Sequence, residues 1–185
     1  VTPVAGKYLC INREWANGDR VELTLPMSLS MRTWQVNKNS VSVDYGPLTL
    51  SLKIAEKYVE KDSRETAIGD SKWQKGADSK KWPTTEIYPD SPWNYSLVLD
   101  KREPLKNFKV IRKSWPADNY PFTATSVPLE VKAIGRPVPE WKIDETGLCG
   151  VLPEEDAMKG DKEEITLIPM GAARLRISAF PNTKE

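Results

Sequence analysis

The stretch KYLCINREWANGDRVELTLP, residues 7–26, places four chemically capable side chains within five positions: Cys10, Asn12, Arg13 and Glu14. A thiol can act as a nucleophile and a carboxylate as its general base, while a guanidinium or an amide can donate hydrogen bonds to a developing anion. A nucleophile and its base must approach to about 3 Å. The chemistry therefore depends on whether the backbone can bring Cys10 and Glu14 together.

The alternation of side chains around this cluster predicts a β-strand over residues 7–15. Successive side chains of a strand point to opposite faces, so Cys10, Asn12 and Glu14 share one face. At about 3.3 Å per residue, Cys10 and Glu14 lie about 13 Å apart along the strand. They cannot act as a nucleophile and base pair at that distance.

The turn that follows predicts a β-hairpin. A three-residue loop at 16–18, with Gly18 left-handed and a bulge after it, sets apolar side chains against apolar ones and Glu14 opposite Arg20. A two-residue loop at 17–18 mixes polar and apolar side chains on one face, whereas register normally follows the hydrophobic face. We therefore interpret the cluster as the solvent face of a hairpin, and we predict no catalytic residue in it.

The chain has 185 residues, no histidine and two cysteines, Cys10 and Cys149. Without histidine there is no Ser-His or Cys-His pair, no imidazole metal ligand and no imidazole general base. The cysteines form no C-x-x-C motif, and their spacing leaves open whether they pair. We expect no metal and no cofactor. A histidine-free hydrolase that uses a carboxylate pair remains an alternative.

Seven tryptophans offer aromatic surface, which suits sugar rings because an indole combines a flat apolar face with a polar edge. Five lie within or beside strand-like runs, where bulk in a sheet core is the simpler role: Trp15, Trp34, Trp93, Trp115 and Trp141. Trp73 and Trp82 lie in the most polar part of the chain. These two are the candidate contacts with a carbohydrate or a neighbouring domain.

Charge and hydropathy exclude two classes of partner. With 27 basic and 26 acidic residues, the formal net charge is +1, so the general attraction to phosphates on which nucleic-acid binding depends has no source. No apolar run reaches the roughly 18 residues of a membrane-spanning helix. We expect neither a nucleic acid nor a membrane as partner.

Alternation with a period of two dominates the chain and is typical of half-buried strands. The predicted strands are RVELTL, SVSVDY, LTLSLKI, YSLVL, FKVIR, LEVKA, ITLI and LRISAF. Asn-Gly, Gly-Pro and isolated prolines separate these runs, and fifteen prolines fit loops and sheet edges better than helices. The pattern predicts an all-β fold of antiparallel, jelly-roll-like β-sandwich units.

The composition changes between Glu60 and Trp82, where eleven of 23 residues are charged. A structureless segment of this length is uncommon inside one compact domain. We therefore expect an N-terminal sandwich unit at 1–56, a polar connector or surface loop at 57–89, and a second β-sandwich at 90–185.

Four short motifs occur in a fixed order: Arg13–Trp15, Gly18–Asp19, Leu25–Met27 and Gly46–Leu48. The stretches SPWNYSLVL, VPEWKI and ITLIPMGAARLRISAFP follow in the second half of the chain. In these motifs and their order the chain resembles the region downstream of the catalytic barrel in glycoside hydrolase family 127, the β-L-arabinofuranosidase-like proteins. Residues 56–90 have no counterpart in that pattern.

The resemblance implies an (α/α)6 catalytic barrel followed by β-sandwich domains, with catalysis in the barrel by a cysteine beside a zinc held by cysteines and a glutamate. Neither Cys10 nor Cys149 stands in such a motif, so no catalytic residue carries over to this chain. The resemblance also implies that the first sandwich, at 1–56, lacks its opening strands. Such a sandwich should leave an open sheet edge or an exposed apolar face.

The resemblance gives the leading hypothesis, a non-catalytic ancillary β-sandwich region of an arabinofuranosidase-like hydrolase. The implied partners are an upstream (α/α)6 barrel and a plant-type polysaccharide or oligosaccharide, and the implied location is extracellular or periplasmic. The alternative hypothesis is a carbohydrate-binding module that uses the exposed rings of Trp73 and Trp82.

Overall fold

A computed structural model describes residues 2–4, 6–63, 78, 80–154 and 160–185. Strands dominate these residues, and the predicted all-β class is confirmed. The strands are β1 (Leu29–Trp34), β2 (Ser40–Tyr45), β3 (Leu48–Leu52), β4 (Glu56–Lys61), β5 (Thr84–Pro89), β6 (Tyr95–Leu99), β7 (Lys109–Arg112), β8 (Leu129–Pro137), β9 (Glu163–Pro169) and β10 (Asn182–Lys184). A 3₁₀ turn, Met170–Ala172, follows β9.

Eight strands form one curled sheet in the order β1-β2-β3-β9-β8-β6-β10, with β7 beside β8. Strand β8 is the longest strand, at nine residues, and it pairs with three other strands. Its first half pairs with β7 and its last three residues pair with β6, while β9 pairs along the opposite edge. Strands β4 and β5 form a separate antiparallel pair.

The segment after the 3₁₀ turn connects strands that lie far apart in the sheet order: it bonds to β3 and β2 and then runs beside β6. Leu52 in β3 donates its backbone N–H to Ile177 at 2.9 Å, and Val41 in β2 exchanges two backbone bonds with Phe180 at 2.8 and 2.9 Å. Two residues later β10 pairs in parallel with β6. The predicted strand LRISAF is therefore wrong as a regular strand, because the backbone changes partner every few residues.

The core lies between strands whose alternation was visible in the sequence. In β2, Val41, Val43 and Tyr45 face the main apolar cluster, which includes Leu97 and Leu99 of β6. The serines and the aspartate on the other face of β2 are buried as well. The structure confirms the strands predicted at SVSVDY, YSLVL, LEVKA and ITLI, and it forms shorter strands, β3 and β7, within the predicted LTLSLKI and FKVIR. Strands β1, β4, β5 and β10 were not predicted.

The β2–β3 hairpin depends on the glycine at its turn. Gly46 has a φ of +57°, a left-handed value that L side chains rarely adopt. A Cβ at this position would lie 2.4 Å from the sulfur of Met27. Both the backbone conformation and the available space therefore require glycine in the Gly46-Pro47 motif.

The hairpin predicted for residues 7–25 does not form. Its turn is present, with Gly18 at a φ of +93° and the Asp19 N–H bonded to the Ala16 carbonyl at 3.1 Å. However, no backbone ladder joins the two arms, and Arg13 pairs with Asp19 instead of Glu14 pairing with Arg20. A two-stranded hairpin is marginal unless another layer covers its apolar face.

The segment 7–26, which we call the N-terminal arm, leaves its apolar side chains in solvent. These exposed side chains are Leu9, Ile11, Trp15, Val21, Leu23 and Leu25. The exposed apolar face expected at the N-terminal end of the chain is therefore present, although on an extended segment and not on a sheet.

The main sheet crosses the domain boundary expected at residue 56. Strand β3, from the expected first unit, pairs with β9 from the second, and both contribute to one hydrophobic core. The expected connector at 57–89 contains nearly all of the β4–β5 pair. Residues 64–77 and 79 of that connector lie outside the described ranges.

Candidate functional site

In the N-terminal cluster that looked like a chemical site, the Arg13 side chain makes local contacts. The Arg13 guanidinium lies 3.0 Å from Asp19, donates to the backbone carbonyl of Glu14 at 3.1 Å, and sits 5.1 Å from the centre of the Trp15 ring. No hydrogen bond joins the Cys10 thiol to the Glu14 carboxylate. In this conformation the cluster stabilises a turn.

Both cysteines, Cys10 and Cys149, are exposed and free. Across the described ranges, no group of three or more His, Cys, Asp or Glu side chains could hold a metal ion. The cysteine and glutamate ligand set implied by the family resemblance therefore does not fit these residues. In the same ranges, no helix is long and apolar enough to cross a membrane.

Of the two tryptophans predicted to contact carbohydrate, only Trp82 is placed by the structure. Its side chain is 71% exposed, just before β5 begins. Its backbone carbonyl accepts a hydrogen bond from the Ser63 hydroxyl, which ties the approach to β5 to the segment after β4. Trp73 lies outside the described residues.

The five tryptophans predicted to supply bulk divide into two groups. Trp141 is 3% exposed, donates to the Gly150 carbonyl at 2.9 Å and packs edge-on against Trp93, with ring centres 5.2 Å apart. The core prediction is confirmed for this pair. It is wrong for Trp15, Trp34 and Trp115, which are 54%, 41% and 61% exposed. The indole N–H of Trp34 also donates to the Ser42 hydroxyl at 2.8 Å.

Trp115 belongs to the loop that joins β7 to β8, residues 113–128, which we call the aromatic loop. Tyr120 and Phe122 in the same loop are 48% and 57% exposed, and their rings meet edge-on at 5.5 Å. The sequence contains a signal for this exposure, because Pro116 and Pro121 around Asp118-Asn119 are typical of a turn-rich loop and not of a strand.

Hydrogen bonds hold the aromatic loop in one conformation. The indole N–H of Trp115 donates to the Asn119 side chain at 2.7 Å, and the Ser126 hydroxyl donates to the Tyr120 carbonyl at 2.7 Å. At the base of the loop, the backbone N–H of Lys113 donates to the Pro128 carbonyl at 2.8 Å. The rings are therefore displayed on an ordered support.

The carboxylate of Asp44 lies on the outer face of β2, where it accepts three hydrogen bonds. Arg32 donates two, at 2.6 and 2.9 Å, and the Thr49 hydroxyl donates one at 2.8 Å. The hydrogen bonds from Arg32 lower the pKa of Asp44, against the opposing effect of burial, and the bond from Thr49 adds to the lowering. The ionised form of Asp44 is therefore favoured over that of a free aspartate.

Glu130 in β8 lies between two lysines that neutralise it. Burial by itself would raise its pKa, but hydrogen bonds from Lys113 at 2.6 Å and Lys53 at 2.7 Å outweigh that effect, and the pKa is lowered. The general acid of a carboxylate-pair hydrolase needs a raised pKa. Asp44 and Glu130 are the acidic residues buried within the described ranges, and neither meets that requirement.

Two adjoining surface clefts share Met31 and Pro104 in their walls. The larger has a volume of about 460 Å³ and lies between the β1–β2 turn, β10 and residues 153–154. Lys38 reaches Glu154 at 2.5 Å in this cleft. Among the described residues, each cleft is lined by one carboxylate, Glu154 or Glu103. The described walls therefore do not hold the pair of carboxylates that glycoside hydrolysis uses.

Comparison of the chain with protein-family models, with curated proteins and with solved structures gave no match. The sequence motifs and the geometry of the described residues therefore carry the functional argument.

Proposed function

We propose that this chain is a non-catalytic, ancillary β-sandwich region of a carbohydrate-active, arabinofuranosidase-like hydrolase, and that it supports the catalytic barrel of the larger protein. The proposal starts from the order of the motifs between Arg13 and Leu48 and from the three stretches in the second half of the chain. The zinc of that family belongs to its barrel, so this chain carries no step of the reaction.

The observation that carries the proposal is the N-terminal arm. Its apolar side chains alternate as in a half-buried strand, yet the described residues leave them in solvent. Contiguous exposed apolar surface on a soluble protein usually marks an interaction site. Here the exposed surface includes Trp15 of the Arg13–Trp15 motif and Leu25 of the Leu25–Met27 motif, which resemble the segment following the barrel. The arm is therefore the part of this chain that we assign to packing against the barrel region.

The proposal is tested first by the reading frame that encodes this chain. We expect an (α/α)6 barrel to be encoded in it upstream of the residues described here. A frame that encodes no such barrel would refute the proposal. The isolated chain should also show no turnover of aryl arabinofuranosides above the background rate, and enzyme-like hydrolysis would contradict a non-catalytic role.

The role of the arm is tested with the barrel and this chain produced as separate polypeptides. We expect them to form a complex on gel filtration and the complex to be lost in the variant Ile11→Asp/Leu23→Asp. The matched control is Val36→Asp, because Val36 is fully exposed at the β1–β2 turn and lies outside the arm. Equal loss of the complex in both variants would contradict the assignment of the arm.

A second candidate function is carbohydrate binding through Trp82, and it rests on the 71% exposure of that ring in a polar setting. Affinity electrophoresis through arabinan, with Trp82→Ala and Trp73→Ala variants, tests it. Retardation that falls in the variants supports binding at this site. Unchanged mobility of the unmutated chain counts against it.

A further inference from the structure

The aromatic loop buries small side chains and exposes its large aromatic ones. Val127, near its end, is 3% exposed and packs with Ile168, Ala172 and Ala173, with Ala124 against the same cluster. The three largest side chains of the loop, Trp115, Tyr120 and Phe122, face solvent. Burial of large aromatic side chains is a main source of core stability, so a loop that served only to connect strands would be expected to bury them.

The loop is also long and ordered, a combination that is typical of functional loops. It has sixteen residues between β7 and β8, and connections longer than about 12–15 residues are uncommon in compact domains unless they serve a function. Its ends are held together by the Lys113–Pro128 bond and the Lys113–Glu130 ion pair at 2.6 Å. A rigid display of this kind lowers the entropic cost of binding.

The size of the exposed surface favours a small ligand. An aromatic side chain can bury 150–250 Å², so three rings at about half exposure present roughly 300 Å². A standard protein interface takes about 800 Å² from each partner. The rings therefore match a short segment of sugar rings better than a folded protein.

The chemistry around the rings favours a neutral carbohydrate. A sugar ring offers an axial C–H face, which packs on an aromatic face, and peripheral hydroxyls, which need donors and acceptors. Asn119 contacts the indole of Trp115 and Asp118 contacts the backbone of Tyr120, so both place such groups near the rings. The only lysine of the loop, Lys113, is already paired with Glu130, so no free cation of the loop is available to attract an acidic sugar.

We infer that Trp115, Tyr120 and Phe122 form a binding surface for a neutral polysaccharide segment. The choice of ligand rests on the carbohydrate-directed role proposed above, whereas the location of the surface rests on the structure of the loop alone. Binding at this surface requires no contact with the barrel and none with Trp82.

Affinity electrophoresis of the full chain through linear arabinan, galactan, xylan and polygalacturonate tests this inference. We expect retardation in at least one neutral polysaccharide and none in polygalacturonate at moderate salt. Trp115→Ala and Tyr120→Ala should each weaken binding about fivefold to tenfold, the usual effect of truncating an aromatic anchor. Trp115→Phe, which keeps a ring, should retain most of the affinity.

The matched control is Tyr58→Ala, which removes an aromatic ring of similar exposure, 55%, in β4 and should leave the retardation unchanged. A chain that passes unretarded through all three neutral gels overturns the inference. So does retardation that survives in both Trp115→Ala and Tyr120→Ala, or that disappears only in Trp82→Ala. Urea unfolding midpoints close to that of the unmutated chain establish that the loop variants are folded.

The two proposals can fail separately. An unmutated chain that binds none of the neutral polysaccharides refutes the loop inference but does not affect the complex with the barrel, which depends on the arm. Conversely, a reading frame without a barrel refutes the ancillary role but leaves the binding measurement valid.

Discussion

Replacing Asp44 with asparagine should lower the free energy of unfolding by about 2 kcal/mol at pH 7. The variant preserves shape, so the change acts on hydrogen bonding and on the ion pair with Arg32. If the amide oxygen takes the place of Oδ1, it keeps the bonds from the Arg32 Nη2 and from Thr49, while the amide nitrogen faces the donor at the Arg32 Nε. One bond is lost, the bond from Thr49 becomes neutral, and the bond from the Arg32 Nη2 keeps only the charge of its donor.

The magnitude follows from these three bonds. A lost hydrogen bond costs about 1 kcal/mol, and loss of the carboxylate charge weakens the two remaining bonds by about another 1 kcal/mol together. The side chain of Arg32 is 48% exposed, so solvent screening keeps the total well below that of a fully buried pair. For a chain of this size, the melting temperature should fall by about 4–8 °C.

The pH dependence gives an independent check. Because the pKa of Asp44 is lowered in the folded protein, its stabilisation is complete above the unfolded pKa of about 3.9. It is lost as the pH falls through the lower folded value. The difference in stability between the unmutated chain and Asp44→Asn should therefore shrink as the pH is lowered from 7 to 3.

Urea denaturation followed by tryptophan fluorescence measures both effects. The matched control is Asp90→Asn, because the Asp90 side chain is exposed and makes no hydrogen bond among the described residues. We expect this control to stay within about 0.5 kcal/mol of the unmutated chain. An Asp44→Asn variant equally close to it at pH 7, or a stability difference that does not change with pH, would refute the reasoning.

Three further changes test other parts of the structure by the same measurement. Gly46→Ala should cost about 1–3 kcal/mol, because it combines a left-handed φ with a clash against Met27, and an unchanged midpoint would contradict the turn geometry. Deletion of residues 1–25 should change the unfolding free energy by less than about 1 kcal/mol and should reduce binding of a hydrophobic dye, since the arm lacks a ladder to the sheet; a larger loss would show that the arm packs on the body. Glu130→Gln should cost about 1–2 kcal/mol at pH 7, discounted because Lys53 and Lys113 are partly exposed. That difference should vanish as the pH falls through the lowered folded pKa of Glu130, and a constant difference would argue against its ionisation.

The local sequence pattern was sufficient to predict the strands that pack in the main core. SVSVDY and YSLVL alternate with a period of two, and each forms a strand over all of its residues, β2 and β6. The Gly46-Pro47 turn was equally readable, because a left-handed position between two alternating runs favours glycine. Within these elements the chemistry of neighbouring residues decides the structure.

The candidate site was predictable only in part. The exposure of Trp82 followed from its polar surroundings, whereas Trp115 was assigned to the core because it stands beside a strand. Its exposure depends on how Val127 and Ala124 anchor the loop to Ile168 and to the 3₁₀ turn. Those contacts join segments far apart in the chain, so composition near Trp115 could not reveal them.

By itself, the sequence determined the all-β class, the strands of the core and the turns between them. These features depend on the period of apolar residues and on backbone restrictions at glycine and proline. The tertiary structure decided which strands pair. RVELTL alternates as regularly as SVSVDY, yet it remains extended without a partner, since no other layer covers it. Likewise, β3 pairs with β9, and Val41 bonds to Phe180 across most of the chain. Such pairings depend on the apolar surface that distant segments bury together, and local periodicity carries no information about that surface.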